Sequence, residues 1–391
     1  MPSNDLESQL KIIKRGAVEI ISAEQLKAKL ENSLKNKRPL VIKAGFDPTA
    51  ADIHLGHTVL LRKLRQFQDL GHKVVFLIGD FTARIGDPTG RSEKRKQLSK
   101  EEVIAYAATY KKQVSKVLDL DRVEVVFNSD WFEKMSVLEI LSLTGHATVA
   151  QMLARADFKK RLAKSEDISL LEFMYPLLQG YDSVKLRADI ELGGTDQIFN
   201  LLVGRDMQKD YAQEQQVVIT MPLLEGTDGV QKMSKSFGNY IGINDPPGEI
   251  FGKIMSISDE LMYKYYELLT DCEIPRIKAM HPKEAKVRLA KEIITQYHSG
   301  SAAQEAAGEF ERVFSQKESP AEIPEYRPKA NDNLVSILVN SGLVKSGNEA
   351  RRLIKQGAVF FGEKKLEAED FVPVQSGTLK AGSRRFLKIV I

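Results

Sequence analysis

Apolar residues between positions 40 and 78 follow two kinds of pattern that together predict one structural unit. Residues 40–42 and 74–78 are short, unbroken apolar runs, which is typical of buried strands. Between them apolar residues recur at helical spacing from Leu60 to Phe67, and Gly71 follows where a helix would end. The pattern predicts a strand, a helix and a second strand. The loop over residues 45–57 then lies at the carboxyl end of the first strand, where open α/β sheets bind ligands.

The end of this loop reads His54-Leu55-Gly56-His57. With Asp52 as the N-cap, the two histidines would lie three residues apart on the first helical turn and face the same way. Gly56 between them leaves room for a ligand, and the free N–H groups of a first turn suit a phosphate. For an isolated match of this motif, the two histidines are ordinary surface groups in roughly half of all cases.

A second motif, Lys232-Met233-Ser234-Lys235-Ser236, follows a predicted strand at 217–220 and a glycine-containing turn at 226–229. Two lysines three apart on a mobile loop can close on a polyphosphate and neutralise the charge that develops as it leaves. Without the first motif, an ordinary solvated lysine loop would be the better interpretation.

The rest of the chain divides by pattern into further segments. They are two amphipathic helices within 5–35, the second with a capping-box sequence at Ser22 to Gln25; a mostly helical stretch over 101–192 with a predicted strand at 123–127; an all-helical stretch over 247–315; a proline-containing extended linker over 316–331; and a terminal region, 332–391, in which two helices precede strands.

Composition places the 391-residue chain among soluble globular proteins with two or three domains, because 42% of residues are hydrophobic and 28% are charged. No apolar run approaches the roughly 18 residues of a membrane span, and the first thirty residues lack a signal-peptide pattern. The single cysteine, Cys272, excludes an internal disulfide and a cysteine-based zinc site. We therefore expect a cytoplasmic enzyme with no membrane contact and no structural metal.

Positive charge is concentrated in the terminal region. Residues 332–391 carry ten Lys and Arg against six Asp and Glu, which equals the net charge of +4 of the whole chain. A small basic module on a neutral body favours a polyanionic partner such as nucleic acid, although an imbalance of four charges is also common by chance.

The two motifs, in this order, resemble the signature of class I aminoacyl-tRNA synthetases, whose motifs read HIGH and KMSKS. The second is present letter for letter, whereas the first has Leu55 in place of isoleucine. The resemblance implies ATP, with Mg²⁺, as a substrate. It implies a catalytic set of Thr49, His54, His57, Arg91, Arg95, Lys232 and Lys235. It also implies nucleotide contacts from Gly45, Asp47, His54, Gly56, His57, Gly194, Asp196, Lys232, Met233, Ser234 and Lys235.

A third motif indicates the amino acid. Tyr175, Gln179 and Asp182 are four and then three residues apart, so they share one helix face, and buried polar groups need partners that a substrate can supply. This motif resembles that of tyrosyl-tRNA synthetases, in which the counterpart of Asp182 accepts the phenolic O–H and the counterparts of Tyr175, Gln179 and Asp87 hold the ammonium. The resemblance implies a tyrosine-binding set of Lys43, Thr82, Asp87, Tyr175, Gln179, Asp182 and Gln197.

Lys43 is a departure from many bacterial members of that family, which have a tyrosine at this position that shares the phenol with the aspartate. The glycine-rich stretch from Gly79 to Ser92 lacks the Gly-Lys-Ser/Thr ending of a P-loop, so nucleotide binding of the Walker type is not supported.

The resemblance covers the whole chain and implies its organisation. We expect an α/β fold with a Rossmann-like, parallel-sheet catalytic domain over 1–240, in which an insertion at about 101–192 makes the interface of a homodimer. Leu138, Leu141 and Leu143 could serve in that interface or in a core. An all-helical anticodon-binding domain would follow over 247–315.

After the linker, 332–391 resembles the small α+β RNA-binding fold named after ribosomal small-subunit protein S-four. There Arg351, Arg352 and Lys355 would bind tRNA.

The predicted function is a tyrosine–tRNA ligase acting on L-tyrosine, ATP and tRNA(Tyr). Three alternatives remain open from the sequence. A tryptophanyl-tRNA synthetase would have the same fold and chemistry, but Asp182 and the terminal RNA-binding module argue against it. A small-molecule nucleotidyltransferase with the His-x-Gly-His motif would not need that module. A catalytically inactive RNA-binding relative would not need the intact histidines and lysines.

Overall fold

The computed structural model describes residues 5–48, 53–88, 99–314, 324–329, 332–344, 346–362, 364–382 and 385–391. The chain forms two compact units, Met1–Ala303 and Gln304–Ile391. Each has its own sheet.

The sheet of the first unit is built from β1 (Glu19–Ile21), β2 (Val41–Phe46), β3 (Lys73–Ile78), β4 (Val123–Phe127), β5 (Ile190–Gly194) and β6 (Val217–Met221). Its order is β1-β6-β5-β2-β3-β4, and every pair is parallel except the edge pair of β1 with β6. The chain moves from β2 to β3 on one side and returns to β5 on the other. This reversal opens a crevice at the carboxyl ends of β2 and β5, which is where such sheets bind ligands.

The parallel strands form because their apolar runs are buried on both faces, as in Val217, Val218 and Ile219. The predicted strands at 74–78, 123–127 and 217–220 are confirmed. Strand β2 continues to Phe46, further than predicted, because residues 45 and 46 stay paired with Leu77 and Ile78 of β3. The edge strand β1 is short and half-exposed and had no clear sequence signal.

The helices of the first unit are α1 (Leu6–Lys14), α2 (Ala23–Asn36), α3 (Leu55–Asp69), α4 (Thr82–Ile85), α5 (Lys100–Val114), α6 (Ser129–Phe132), α7 (Val137–Ser142), α8 (Val149–Leu153), α9 (Ala156–Ala163), α10 (Leu170–Leu186), α11 (Ile198–Asp210), α12 (Pro247–Ser256), α13 (Asp259–Leu269), α14 (Ile274–Lys278) and α15 (Pro282–Tyr297). Helix α16 (Gly300–Phe314) crosses the division between the units. No helix in the described ranges is long and apolar enough to cross a membrane. The helices and the parallel sheet confirm the predicted α/β class.

The start of α3 differs from the prediction. The N-cap is His54, with extended backbone angles, so the expectation of Asp52 as N-cap is wrong. The reason is a long-range contact: the Leu55 N–H donates to the Ile241 carbonyl at 2.9 Å, which favours the extended backbone at His54. Ser22 is confirmed as the N-cap of α2, because its hydroxyl accepts the Gln25 N–H.

Residues 101–192 are mostly helical, as predicted, but they also contribute to the main sheet. Strand β4 pairs with β3, and β5, which begins at Ile190, pairs with β2. The range expected as an insertion therefore contains one complete strand and part of another from the sheet that positions the site.

The second unit contains a five-stranded sheet and two helices next to its core. They are β7 (Glu325–Tyr326), α17 (Leu334–Asn340), α18 (Gly347–Lys355), β8 (Val359–Phe361), β9 (Lys364–Lys365), β10 (Gly377–Ala381) and β11 (Arg385–Ile389), with strand order β7-β11-β10-β8-β9. Leu338, Ile354, Leu379 and Leu387 lie in its buried core. Strand β7 pairs in parallel with β11, so part of the predicted linker belongs to this sheet.

Candidate active site

A cavity of about 330 Å³ lies at the carboxyl edge of the parallel sheet. Each of the strands β2, β3, β4 and β5 is followed directly by a polar or glycine-containing segment at this edge, which explains why residues far apart in sequence meet there. Thirteen predicted residues line the cavity: Gly45, Asp47, Gly56, His57, Thr82, Asp87, Tyr175, Gln179, Asp182, Gly194, Asp196, Gln197 and Lys232.

The other predicted site residues of this unit fall into two groups. Lys43, His54, Met233, Ser234 and Lys235 are described but do not line the cavity. Thr49, Arg91 and Arg95 lie outside the described residues.

The first two motifs are brought together by backbone pairing. Leu55 N–H donates to the Ile241 carbonyl, and Ile243 N–H donates to the Ile53 carbonyl at 3.1 Å. The histidine motif is therefore attached to the segment that directly follows the lysine motif. A Cβ added at Gly56 would lie 3.0 Å from the His54 ring and 3.4 Å from Met233 Cβ, so glycine permits this approach.

The rings of the two histidines are in contact at an interplanar angle of 32°, and both are uncharged at neutral pH. Their ring centroids are 3.9 Å apart, and His57 Nδ1 accepts the His54 N–H at 3.2 Å. Burial, then His57 and Lys235, lower the pKa of His54 to about 2; burial and Lys235 lower the pKa of His57 to about 4. Since Nδ1 of His57 is an acceptor, its Nε2 carries the proton and can donate to a ligand. Within the described residues, the buried His54 Nδ1 has no hydrogen-bond partner.

The two lysines occupy different surroundings. Lys232 Nζ lies 3.4 Å from the Asp196 carboxylate, across the mouth of the second strand-to-helix turn. Lys235 Nζ lies 5.7 Å from the centre of the Tyr240 ring, a cation–π distance. Both cations are thus close to the site in this structure.

Acceptor groups converge at one part of the cavity. Asp47 accepts the Tyr175 hydroxyl through Oδ2 and the Thr82 hydroxyl through Oδ1, both at 2.9 Å. Gln197 Nε2 donates to Asp87 Oδ2 at 2.7 Å. Burial, followed by the Asp47 and Asp87 charges, raises the pKa of Tyr175, so its phenol stays neutral. The carboxylates of Asp47 and Asp87 and the oxygen of the Tyr175 hydroxyl can accept hydrogen bonds from an ammonium group.

A chain of side-chain amides continues behind these acceptors. The Arg155 guanidinium donates to Asn200 Oδ1 at 3.0 Å, and Asn200 Nδ2 donates to Gln179 Oε1 at 3.1 Å and Gln197 Oε1 at 3.0 Å. Because arginine can only donate, it fixes the orientation of the Asn200 amide and, through it, of both glutamines. Gln197 then has its N–H₂ free for Asp87.

Asp182 is buried and held from two directions. The Trp131 indole N–H donates to Oδ1 at 3.0 Å, and Asn128 Nδ2 donates to Oδ2 at 3.3 Å. Burial raises the pKa of Asp182 to about 7, while Lys43 and these two donors lower it. Each carboxylate oxygen keeps a further lone pair for an O–H donor.

Lys43 lies inside the protein with no exposed surface. Its ammonium is 2.8 Å from Glu191 Oε1 and donates to Ser183 Oγ at 2.8 Å and to the Gln179 carbonyl at 3.1 Å. The expected tyrosine contact of Lys43 therefore has no counterpart in the cavity lining. In the second unit, Arg351, Arg352 and Lys355 are exposed on α18.

Sequence reasoning missed four asparagine and tryptophan side chains that organise the site: Asn128, Trp131, Asn200 and Asn239. A positional signal existed for three of them. Asn128 directly follows β4 at the carboxyl edge, and Asn200 lies one turn after Gln197. Asn239 lies three residues after the end of the lysine motif. Among the residues with described positions, no cluster of three or more His, Cys, Asp or Glu could hold a metal ion.

Solved structures with a similar fold include the tyrosyl-tRNA synthetase from Archaeoglobus fulgidus, complexed with L-tyrosine. It has a TM-score of 0.63 at 23% identity and covers 78% of this chain and 100% of that chain. A C-terminally truncated mitochondrial tyrosyl-tRNA synthetase from Aspergillus nidulans has a TM-score of 0.65 at 23% identity, over 79% of this chain and 94% of that chain. At this identity the likeness shows the fold alone.

Sequence relatives go further. The profile of the family described as tRNA synthetases class I (W and Y) matches residues 35–315. A tyrosine–tRNA ligase from Carboxydothermus hydrogenoformans is 55% identical over 100% of this chain and 99% of the relative. One from Geobacter sulfurreducens is 54% identical over 97% and 98%. The family predicted from the motifs is confirmed, and the chain belongs to the bacterial tyrosine–tRNA ligases of the class I aminoacyl-tRNA synthetases.

Proposed function

We propose that the protein activates L-tyrosine with ATP to give tyrosyl-adenylate and pyrophosphate, and then transfers tyrosine to the 3′-terminal adenosine of tRNA(Tyr). Full-length relatives named tyrosine–tRNA ligase support the reaction. The observation that carries the choice of amino acid is Asp182, a buried acceptor on the cavity wall. A phenolic O–H satisfies it, whereas a phenyl ring would leave a buried carboxylate without that partner, which is costly.

The amino-acid end of the cavity fits the rest of the substrate. Asp87 and the Tyr175 hydroxyl oxygen are acceptors for the ammonium, and the amide chain orients Gln179 and Gln197 beside them. These contacts hold the tyrosine carboxylate toward the histidine motif. Positioning of this kind lowers the barrier because the two reactants no longer lose their freedom of motion during the reaction.

In the first step the tyrosine carboxylate attacks the α-phosphate of ATP in line, and pyrophosphate leaves. His57 donates through Nε2, Lys232 and Lys235 supply positive charge, and Asp196 receives the ribose hydroxyls. Arg91 and Arg95 are proposed to act on the leaving pyrophosphate, and Thr49 to contribute to the stabilisation of developing charge. Mg²⁺ enters with ATP as part of that substrate. Neither step needs a covalent enzyme nucleophile, because stabilisation of developing charge is sufficient.

Assembly and tRNA binding are further parts of the proposal. Val137, Leu138, Leu141, Val149 and Leu170 are more than half exposed on α7, α8 and α10, which supports a homodimer interface there. Leu143, by contrast, is buried in the core. The exposed cations of α18 would contact tRNA phosphates, and the helices over 247–315 would serve the anticodon arm. The expected compartment is the cytoplasm.

The first experiment is amino-acid-dependent ATP–pyrophosphate exchange without tRNA, with tyrosine, tryptophan and phenylalanine in turn. We expect exchange with tyrosine alone, and loss of that preference in Asp182→Asn. Exchange with tryptophan instead would overturn the specificity. No exchange with any of them, from protein that melts cooperatively, would overturn the enzymatic function. Charging of tRNA(Tyr) then tests the second step.

A further inference from the structure

A buried ion pair lies directly behind the proposed specificity residue. Lys43 on β2 and Glu191 on β5 are opposite each other in the parallel register, and only 0% and 1% of their surfaces are exposed. Their charged atoms are 2.8 Å apart. Burying two charges is unfavourable unless both have further partners, so the surrounding contacts decide whether the pair has a role.

Those contacts form a closed network between the sheet and two helices. The Ser183 hydroxyl accepts from Lys43 and donates to Glu191 Oε2 at 2.9 Å, and Gln216 Nε2 also donates to that oxygen. Gly204 on α11 makes room for it, since a Cβ there would lie 3.0 Å from Gln216 Nε2 and 3.1 Å from Ser183 Oγ.

The network holds the part of α10 that carries Asp182. Lys43 donates to the Gln179 carbonyl and the Ser183 hydroxyl, which precede and follow Asp182 on the helix. The two charges also act on Asp182 in opposite senses, because Lys43 lowers its pKa and Glu191 raises it. Within the pair, Lys43 has the larger effect on Asp182, the proposed specificity residue.

We propose that Lys43 is a positioning residue for tyrosine selection, which with Glu191 anchors α10 and keeps Asp182 an acceptor for the phenolic hydroxyl without touching the substrate. The inference rests on the proposed tyrosine specificity. It adds the contacts that keep Asp182 in place for that specificity.

The groups that face Asp182 come from several elements. Asn128 and Trp131 follow β4, Lys43 and Glu191 lie on β2 and β5, and the neutral Tyr175 lies two turns earlier on α10. Among these groups, Lys43 and Glu191 are the two whose side chains act on the Asp182 pKa through charge, in opposite directions. Substitutions at these two positions should therefore shift the pH dependence of tyrosine binding in opposite directions.

The experiment is a titration of tyrosine affinity between about pH 6 and about pH 8.5, where the carboxyl changes state. Trp131, the single tryptophan, donates to Asp182, so its fluorescence, excited beyond the tyrosine absorption band, reports binding. Only ionised Asp182 is an acceptor for the phenol on both oxygens, so wild-type affinity should rise with pH.

In Lys43→Met the midpoint should move to higher pH because a positive neighbour is lost. For a shift of about one pKa unit, tyrosine binding at pH 7 should weaken about fivefold, because the ionised fraction of Asp182 falls from about one half to about one eleventh. In Glu191→Gln the midpoint should move to lower pH, because a negative neighbour is lost. A purely structural ion pair would weaken binding in both variants and leave the midpoint unchanged.

Two further variants keep the test decisive. Ser183→Ala removes a neutral contact of both charges and should leave the midpoint at its wild-type pH; a shift as large as that of Lys43→Met would overturn the inference. If Lys43→Met fails to fold, two other variants still show the direction in which the pH midpoint of tyrosine binding moves. They are Glu191→Gln and the double variant Lys43→Met/Glu191→Met, in which neither position carries a charge. Absence of tyrosine binding to the wild-type protein would contradict the proposed function, whereas normal binding with one common midpoint would contradict only this inference.

Discussion

Asn239 is hydrogen-bonded to the lysine motif and to the turn that precedes it, and we expect its loss to slow adenylate formation specifically. Its Oδ1 accepts the Ser234 N–H at 2.8 Å, and its Nδ2 donates to Asp228 Oδ2 at 2.8 Å. The same Nδ2 lies 3.4 Å from the Gln231 carbonyl and 3.3 Å from the Lys232 carbonyl. Asn239→Ala would remove all of these contacts together.

The size of the effect follows from those distances. A neutral hydrogen bond is worth about 1 kcal/mol net, and one to a carboxylate about 1.5–3 kcal/mol. The two contacts at 2.8 Å dominate, while Ser234 and Asp228 can be partly resolvated after truncation. Because the Asp228 carboxylate is exposed, the part-buried contact to Ser234 contributes most, and we expect the closed arrangement of residues 231–239 to lose about 1–2 kcal/mol, which corresponds to a roughly 5- to 30-fold slower activation step.

The assay is the single-turnover rate of tyrosyl-adenylate formation, measured beside the equilibrium affinity for tyrosine. The rate should fall while tyrosine affinity stays within about twofold, because Asn239 does not line the cavity. Asn244→Ala is the matched control, since Asn244 is exposed and its Oδ1 accepts a hydrogen bond from the Lys116 ammonium, away from the motif. A rate loss below about threefold, or an equal loss of tyrosine affinity, would refute the reasoning.

Three further predictions concern other parts of the site. Because the pKa values of His54 and His57 lie at about 2 and about 4, the activation rate at saturating tyrosine should show no inflection near pH 6.5; such an inflection, abolished by His57→Gln, would show that a histidine titrates there. Gly56→Ala places a Cβ 3.0 Å from the His54 ring, so kcat/KM for ATP should fall at least about tenfold while tyrosine-induced fluorescence is retained; unchanged ATP kinetics would show that the ring moves freely. Leu138→Asp introduces a charge at a side chain that is 77% exposed, and sedimentation should then find a folded monomer if this face forms the dimer. A persistent dimer would place the interface elsewhere.

The sequence predicts those parts of the site whose geometry is local. The spacing of Tyr175, Gln179 and Asp182 puts them on one face of any helix, and all three line the cavity. The strand-to-helix turns likewise carry their polar residues to one edge of a parallel sheet. These features need only helical periodicity and the direction of the strands.

Features that depend on distant contacts were not predictable. The N-cap of α3 is set by Ile241, nearly two hundred residues later, and the position of Lys43 is set by the pairing of β2 with β5. The sequence next to His54 or Lys43 carries no signal for these long-range contacts. The edge strands β1 and β7 were not predicted because segments of two or three residues are too short to show a periodic pattern.

The amide chain that begins at Arg155 constrains how this pocket can be redesigned. Its two ends have fixed polarity, since a guanidinium cannot accept and a carboxylate such as Asp87 cannot donate, so every amide between them is oriented in one direction. A change of Gln179 alone, made to admit a different amino acid, therefore also alters what Asn200 can bind. Libraries that vary the pocket for new substrates should vary Asn200 and Arg155 together with the glutamines, because successful substitutions at these positions are expected to depend on one another.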